Sequence, residues 1–183
     1  MIINKQDLLL IAPLFPMFDS KQTGNGVSFG LTEAGYDVRI AQEIQFFWNS
    51  GFPEIHIYDP VSQEKKVIHD TFTLASTIEM INMPNNLVGV VHDKSTWARE
   101  GVAVQNTVLE PGWKGGLTLE LNFQRRKDVK IPFGSGIAQI LFNEIKTPTA
   151  YNGKYQNQGK EPQEAIWEKY SVYAGNGDHD GAG

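Results

Sequence analysis

Glycine and proline interrupt this chain at short, regular intervals, and this spacing constrains the fold more than any other feature. They number 18 and 9 among 183 residues. Short segments with alternating or β-branched residues lie between them, as at residues 71–79 and 117–121. The pairs at residues 111–112 and 115–116 are predicted to bracket one of the turns. This pattern favours many short strands over a few long helices, so we expect a mainly β fold, an all-β barrel or jelly roll.

A short helix is predicted near the N-terminus, over residues 4–12. Asn4 can cap its first turn, where Asp7 is favourable to the helix dipole, and Pro13 ends it. The segment that follows, residues 21–30, is rich in glycine and polar residues and is predicted to be a flexible loop.

Composition and charge exclude several classes of protein. The 16 lysines and arginines are outnumbered by 21 acidic residues, and the net charge of -5 disfavours binding of nucleic acid through a basic face. The chain has no cysteine, which excludes disulfides, thiol nucleophiles and cysteine-containing zinc sites. We see no membrane span and no targeting segment, so we expect a cytoplasmic protein without membrane partners. Asp178, His179 and Asp180 lie in a glycine-rich tail that we expect to be disordered rather than to hold a metal.

Two segments concentrate polar groups that do not help to form a core. Residues 93–99 bring two hydroxyls and two cations together, which suits a polyphosphate, and Ser95 and Arg99 share one face if the segment is helical. The alternative is a solvated helix N-terminus capped by Ser95. Residues 151–159 are rich in amides and aromatic rings and could form an arm that closes over a ligand. The alternative there is an exposed linker.

Glu120 is a third candidate for a functional role. In residues 117–121, Leu117, Leu119 and Leu121 face one side of the predicted strand, and Glu120 faces the other. A carboxylate in such a position often lies on the solvent face of a sheet. If that face lines a cleft instead, desolvation would raise the pKa of Glu120 and make it a usable general base.

Together these segments resemble the dCTP deaminase branch of the dUTPase superfamily, and the resemblance covers residues 1–165. Single motifs are weak, but several in the same order at suitable spacings are specific. The matching segments are Gly35-Tyr36-Asp37-Val38-Arg39, residues 72–79, Lys94-Ser95-Thr96-Trp97-Ala98-Arg99-Glu100-Gly101, Glu110-Pro111-Gly112-Trp113-Lys114-Gly115, Leu117-Thr118-Leu119-Glu120, Ile137-Ala138-Gln139 with Phe142, and residues 153–158.

The resemblance implies a distorted β-barrel of the jelly-roll, dUTPase-like type, assembled as a homotrimer with active sites between subunits. It implies hydrolytic deamination of dCTP to dUTP and ammonia without zinc, with Mg²⁺ bound through the triphosphate. Zinc deaminases of nucleosides need cysteine ligands, which this chain lacks. Residues 1–165 would form the domain, with a lid over residues 151–165, and residues 166–183 would be an extension with a disordered end.

The resemblance also assigns roles to single residues. Glu120 would be the general acid and base, Ser95 would orient the attacking water, and Arg99 would position Glu120 and the phosphates. Residues that would bind the substrate are Lys94, Thr96, Gln105, Asn106, Thr107, Glu110, Tyr151, Lys154 and Gln158.

Two departures from the family pattern keep alternatives open. Asn106 stands where the family has a small residue, which leaves dCMP or a 5-substituted cytosine open as the substrate. Glu110 replaces an aspartate that activates water in dUTPase relatives, so a bifunctional enzyme that makes dUMP also stays open. A dUTPase and a non-catalytic nucleotide-binding regulator are the remaining alternatives.

Overall fold

A computed structural model describes residues 1–105 and 107–167, and this part of the chain is mainly β, as the turn spacing predicted. No helix in the described part is long and apolar enough to cross a membrane. The elements are β1 (Ile2–Ile3), α1 (Lys5–Ile11), β2 (Leu14–Phe15), β3 (Lys21–Gly24), β4 (Val27–Leu31), β5 (Tyr36–Arg39), β6 (Glu43–Asn49), β7 (Phe52–Tyr58), β8 (Lys65–Ile68), β9 (Phe72–Asn82), β10 (Leu87–Asp93), α2 (Ser95–Glu100), β11 (Val102–Val104), β12 (Val108–Leu109), β13 (Lys114–Phe123), β14 (Val129–Ile131) and β15 (Gly136–Glu144).

The strands form three antiparallel sheets that curl into a barrel-like arrangement. The largest has the order β12-β10-β15-β5-β4-β3, with β1 added at β15. The second has the order β11-β13-β9-β2, and the third has the order β14-β6-β7-β8. The core lies between them, where the alternating faces of the strands bury their apolar side chains. One such contact joins the second and third sheets, because the Phe46 and Phe123 rings stack with centroids 4.6 Å apart.

The N-terminal helix is confirmed, but the predicted cap is not. Asn4 precedes α1 in an extended conformation and makes no side-chain cap. Its amide instead donates to the Glu33 backbone carbonyl at 2.6 Å, which ties the start of the helix to a distant loop. The helix ends at Ala12 in a left-handed conformation, immediately before Pro13.

The prediction of a flexible loop over residues 21–30 is wrong, because β3 and β4 form a hairpin there. Its two-residue turn consists of Asn25 and Gly26, whose φ angles of 54° and 77° are both positive. Asn-Gly is the pair that favours a type I′ turn, so the signal for this hairpin was present in the sequence.

An ion pair between β5 and β9 joins the first and second sheets below the surface. Arg39 Nε donates to Glu79 Oε1 at 2.7 Å, and the Arg39 backbone N–H donates to Glu79 Oε2 at 2.8 Å. The guanidinium also lies 4.8 and 5.0 Å from the ring centroids of Phe18 and Phe29. Burial of the carboxyl group raises the pKa of Glu79, which its contacts with Arg39 partly offset.

Three sets of predictions fall wholly or partly outside the described residues. They are the role of Asn106, the tail with Asp178, His179 and Asp180, and most of the 166–183 extension.

Candidate active site

The floor of the candidate site is the central strand β13. Leu117, Leu119 and Leu121 are buried in the core, as the alternation predicted, and Glu120 points to the opposite face. Leu74 on β9 is the direct cross-strand partner of Glu120. Neighbours of this kind lie on the same face of a sheet, so the carboxylate lies beside an apolar side chain.

The segment between β11 and β12 forms one rim above this floor. The Gln105 backbone N–H donates to the Glu120 carbonyl at 2.9 Å, which fixes the rim to the strand that carries the carboxylate. The Val91 N–H donates to the Thr107 carbonyl at 3.0 Å and fixes the other side of the rim. The Gln105 side chain is exposed, and Glu110 is exposed just after β12.

The opposite rim is the C-terminal arm, residues 151–167, which docks on its own chain. Gln158 forms a parallel bridge with Gly115, and the Gly116 N–H donates to the Gln158 carbonyl at 3.2 Å. A Cβ added to Gly116 would lie 2.3 Å from the Gly159 carbonyl oxygen. The turn predicted between the two pairs lies at residues 111–112, and Gly115 and Gly116 lie within β13, where they let the arm approach its backbone.

Further hydrogen bonds, from side chains and backbone, hold the rest of the arm in place. The Trp113 indole N–H donates to the Tyr155 carbonyl at 2.6 Å, and the Tyr151 backbone N–H donates to the Pro111 carbonyl at 2.7 Å. Farther along, the Gln163 backbone N–H donates to the Thr118 hydroxyl at 2.9 Å. Thr118 lies two residues before Glu120 on the same face of β13, so the arm is attached beside the carboxylate.

Floor, rim and arm enclose a cavity of about 460 Å³. Five residues predicted from the sequence line it: Thr107, Glu110, Glu120, Tyr151 and Gln158. Residues that the sequence analysis did not assign to the site also line it, and they include Phe72, Leu74, Trp113, Thr118, Tyr155 and Glu164. Phe72 and Leu74 lie on β9. They could have been assigned to the site only from the register of β9 on β13, which the sequence does not give.

The charged side chains among the described residues that line the cavity are all acidic. Burial raises the pKa of Glu120, because the ionised form is partly desolvated, and no described side chain makes an ion pair or hydrogen bond with its carboxylate. Glu110 and Glu164 line the same cavity, and none of its described lining residues is a lysine, arginine or histidine. Desolvation makes this carboxylate a stronger base than an exposed glutamate, but the described lining of the cavity offers a polyanion no cation.

The predicted phosphate-binding residues lie elsewhere in the chain. Residues 95–100 form α2, which confirms the predicted helical turn, although Lys94 rather than Ser95 occupies the cap position. Ser95, Thr96 and Arg99 are exposed on this helix, and none of them lines the cavity that contains Glu120. The structure thus separates Glu120 from Ser95 and Arg99 within one chain.

The two lysines predicted to bind phosphate differ in their surroundings. Lys94 has a side chain only 11% exposed, and its ammonium makes an ion pair with Asp37. Lys154 is an exposed residue of the arm, and its ammonium lies 5.3 Å from the centroid of the Tyr155 ring. Their roles in substrate binding stay predictions.

No group of three or more His, Asp or Glu side chains in the described part of the chain is arranged to hold a metal ion. The carboxylates of the cavity do fit a Mg²⁺ ion that arrives with a nucleotide, because Mg²⁺ takes oxygen ligands from one or two carboxylates together with phosphates. Glu110 and Glu164 are the exposed carboxylates of this cavity, one after the rim and one on the arm.

Comparison with known proteins identifies the family. The model of the dCTP deaminase-like family matches residues 19–145. The chain belongs to the dCTP deaminase-like family. A dCTP deaminase of Campylobacter concisus (strain 13826) is 39% identical over 155 residues, which cover 77% of this chain and 83% of that protein. A dCTP deaminase of Legionella pneumophila (strain Lens) is 36% identical over 150 residues, which cover 75% and 80%.

The family assignment agrees with the resemblance drawn from the motifs, and solved dUTPase structures also match the chain. The native EIAV dUTPase aligns with a TM-score of 0.46 at 15% identity, over 73% of this chain and 90% of that chain. A mutant dUTPase from phage phi11 of S. aureus, described with a structural Mg(II) ion, aligns with a TM-score of 0.48 at 13% identity, over 77% and 95%. In this dCTP deaminase-like chain the family match ends at residue 145, before the arm begins.

Proposed function

We propose that this chain hydrolyses dCTP to dUTP and ammonia, and that each active site is shared between two chains of a cytoplasmic homotrimer. Membership of the dCTP deaminase-like family supports the reaction. The observation that carries the proposal is Glu120, a half-buried carboxylate with a raised pKa and no described side-chain partner, at the floor of a cavity about 460 Å³ in volume. Pyrimidine and sugar would fit between rim and arm, over the face of β13.

The proposed chemistry follows from the position of this carboxylate. Glu120 takes a proton from a water molecule as the water oxygen bonds to C4 of cytosine, and it delivers this proton to N3. It then takes the remaining proton from the new C4 hydroxyl and delivers it to the amino nitrogen. The C4–N bond then breaks, so that dCTP and water give dUTP and ammonia. Ser95 would orient the water and Arg99 would position Glu120 and the phosphates. Because the carboxylate is partly desolvated, it is a stronger base than an exposed glutamate.

The charges support a site that is shared between chains. A triphosphate needs cations, but the described lining of the cavity holds Glu110, Glu120 and Glu164 and no basic residue. Arg99 is exposed on α2, outside that cavity. A neighbouring chain that presents its α2 at the cavity would bring the missing positive charge and hydroxyls, as the homotrimer expected for the family would do. Mg²⁺ on the triphosphate would neutralise further phosphate charge.

Product analysis tests the reaction. The purified chain is incubated with Mg²⁺ and either dCTP, dCMP or dUTP, and the products are separated by anion-exchange chromatography. We expect dUTP from dCTP, and we expect Glu120→Gln to lower the rate by at least about 100-fold because the general base is lost. Glu64→Gln, which removes one charge from an exposed turn, is the matched control. No turnover of dCTP by the unsubstituted chain would exclude the proposed reaction.

The same experiment tests the bifunctional alternative, which the comparisons do not favour. The Glu110 carboxylate lines the cavity of Glu120 and has no described ion-pair partner, so it is the candidate base for attack on the α-phosphate. The appearance of dUMP and pyrophosphate, lost in Glu110→Gln, would assign that second step. We expect dUTP to accumulate instead.

A further inference from the structure

A second cavity, about 400 Å³ in volume, adjoins the cavity that contains Glu120. Phe72, Leu74 and Glu164 line both cavities. Phe72 and Leu74 lie on the same face of β9, where Phe72 is exposed and Leu74 is half-buried. The two cavities therefore meet at this end of β9, and a group bound over Leu74 in one of them can reach the other.

The order of the strands favours one orientation of the pyrimidine in the proposed reaction. The strand β13 carries Glu120 and lies between β11 and β9 in the second sheet. The rim that follows β11 is polar at Gln105 and Thr107, whereas the β9 side of the cavity is apolar at Phe72 and Leu74. Cytosine has O2, N3 and the amino group on one edge and only C5 and C6 on the other, and burial of a polar group without a hydrogen bond is unfavourable. The polar edge of the base therefore faces the rim, and C5 faces Leu74.

A substituent on C5 would then point into the second cavity. Leu74 is the direct cross-strand partner of Glu120, and C5 is bonded to C4, the atom at which Glu120 is proposed to act. Ile57 and Ile68 of the third sheet also line the second cavity. These apolar walls suit a short carbon chain, and the volume of the cavity lies within the range of small-ligand sites.

The charged residues of the second cavity favour a cation at the end of such a chain. Acidic residues that line it include Asp59 and Asp70, which follow β7 and β8, and Glu161 and Glu164 on the arm. None of these four has an ion-pair partner among the described residues. Lys66 is the one basic residue of the described lining, so negative charge prevails there.

We propose that this chain also deaminates deoxycytidine triphosphates that carry a short chain on C5, and that it prefers a chain that ends in a cation. The inference rests on the proposed function and extends its substrate class. The reaction is the same, because the oxygen of water bonds to C4 and ammonia leaves from C4, while the substituent on C5 keeps all its bonds. The first cavity binds the base, and the second binds the substituent.

Two matched substrates test the room for the chain and the preference for charge separately. 5-Propynyl-dCTP and 5-propargylamino-dCTP carry the same rigid three-carbon chain, and only the second ends in an ammonium group. We expect kcat/KM for 5-propynyl-dCTP to lie within about 10-fold of that for dCTP, because the second cavity has room for the chain. The value for 5-propargylamino-dCTP should exceed that for 5-propynyl-dCTP by about threefold, and Glu161→Gln should reduce this ratio.

A variant that fills the second cavity tests where the chain binds. Ile68→Trp places a large ring there and should lower kcat/KM for 5-propynyl-dCTP at least about 10-fold more than kcat/KM for dCTP. The matched control is Val67→Trp, at the neighbouring residue of β8, which is exposed and lines neither cavity. This control should leave both values unchanged.

Three results would overturn the proposal in whole or in part. The first is a chain that converts dCTP but uses 5-propynyl-dCTP more than about 100-fold less efficiently, since the substituent would then have no room. The second is an equal effect of Ile68→Trp on both substrates, which would place the chain elsewhere. The third is a kcat/KM for 5-propargylamino-dCTP no higher than that for 5-propynyl-dCTP, which would refute the preference for a cation.

Absence of turnover of dCTP would refute the proposed function instead. The second cavity would then be tested by isothermal titration of the unsubstituted chain and of Ile68→Trp with the same nucleotides. Failure to bind 5-propynyl-dCTP, or an equal Kd for it in both chains, would still refute the role of the second cavity. Tight binding that is lost only in Ile68→Trp would support that role.

Discussion

Glu120 lies half-buried on β13 with Leu74 directly opposite it on the neighbouring strand. Burial raises its pKa above the ordinary value of 4.5, and no described side chain offsets this effect with a positive charge. The ionised form of Glu120 therefore destabilises the folded chain, while the residue also has a proposed role in proton transfer. A carboxylate that served only the fold would be placed in water or beside a base.

This cost gives a prediction about stability and pH. Since the folded state raises the pKa of Glu120, its contribution to stability is fully present below 4.5 and is lost as pH rises through the folded pKa. In the Arg99→Ala background, which removes the cation that a neighbouring chain would bring to Glu120, Glu120→Gln should therefore unfold at a higher urea concentration than Arg99→Ala alone at about pH 8, and the difference should vanish at about pH 4. Urea titrations between these values measure it.

Glu64→Gln serves as the control for loss of one negative charge at an exposed position. If Glu120→Gln in the Arg99→Ala background were less stable than Arg99→Ala alone at about pH 8, the carboxylate would have a stabilising partner other than Arg99 and the description of the cavity would be wrong.

For single residues, the sequence predicted which face of a strand a side chain lies on, but not which residues it contacts. Alternation alone placed Glu120 on the face opposite Leu119, because side chains on a strand alternate strictly. The partner of Lys94 is Asp37, 57 residues earlier in the chain, and it comes close only because β5 and β10 flank β15 in one sheet. No local pattern in the sequence indicates that contact.

Gly115 and Gly116 show how two elements can depend on each other. Both lie within β13, where glycine normally weakens a strand, and both are covered by the backbone of the C-terminal arm. The arm in turn forms a wall of the cavity through Tyr151 and Gln158. The glycines are therefore needed for the arm rather than for the sheet.

Gly116→Ala should displace the arm while the sheet stays folded. The new methyl would lie 2.3 Å from the Gly159 carbonyl oxygen, which is too close for any contact, whereas β13 keeps its pairing with β9. We expect trypsin to cut after Lys154 and Lys160 severalfold faster, and KM for dCTP to rise, with little change in melting temperature. Timed proteolysis followed by mass spectrometry identifies the cut sites.

The matched control is Gly159→Ala, on the other side of the same contact. A Cβ at this position would meet no atom within 4 Å, so cleavage and KM should not change. Equal cleavage of Gly116→Ala and the unsubstituted chain would show that the arm does not rest on β13 in solution.

Elements with a clear period were predicted well, and those defined by special backbone angles were not. The strands β9 and β13 lie where the β-branched and alternating segments at residues 71–79 and 117–121 predicted them. The β3–β4 hairpin was missed because its polar, glycine-rich residues outweighed the Asn25-Gly26 turn signal. The glycine pair at residues 115–116 was predicted to border a turn rather than to lie inside β13, because the arm that requires it lies more than 40 residues away in the sequence.

At the scale of the whole molecule, the acidic and the basic side chains of the proposed reaction lie in different places. The carboxylates Glu110, Glu120 and Glu164 line the cavity, and Arg99 lies outside it on α2. The motifs predicted all of these residues except Glu164, but they could not show that one chain keeps the two groups apart. A site that is complete only between two chains explains this separation, and mixing two inactive variants tests it.

Glu120→Gln and Arg99→Ala chains should each be inactive alone and regain activity when they share an oligomer. If every site takes Glu120 from one chain and Arg99 from its neighbour, random mixing in equal amounts leaves about a quarter of the sites intact, because each of the two positions is filled correctly half of the time.

The two chains, with different affinity tags, are unfolded and refolded together, and native mass spectrometry verifies that mixed oligomers form. Deaminase activity per site should then reach about a quarter of that of the unsubstituted enzyme. Mixing Glu120→Gln with the double variant Glu120→Gln/Arg99→Ala supplies no intact carboxylate and should give no activity. Mixed oligomers that remained inactive in the first experiment would mean that Glu120 and Arg99 must come from the same chain.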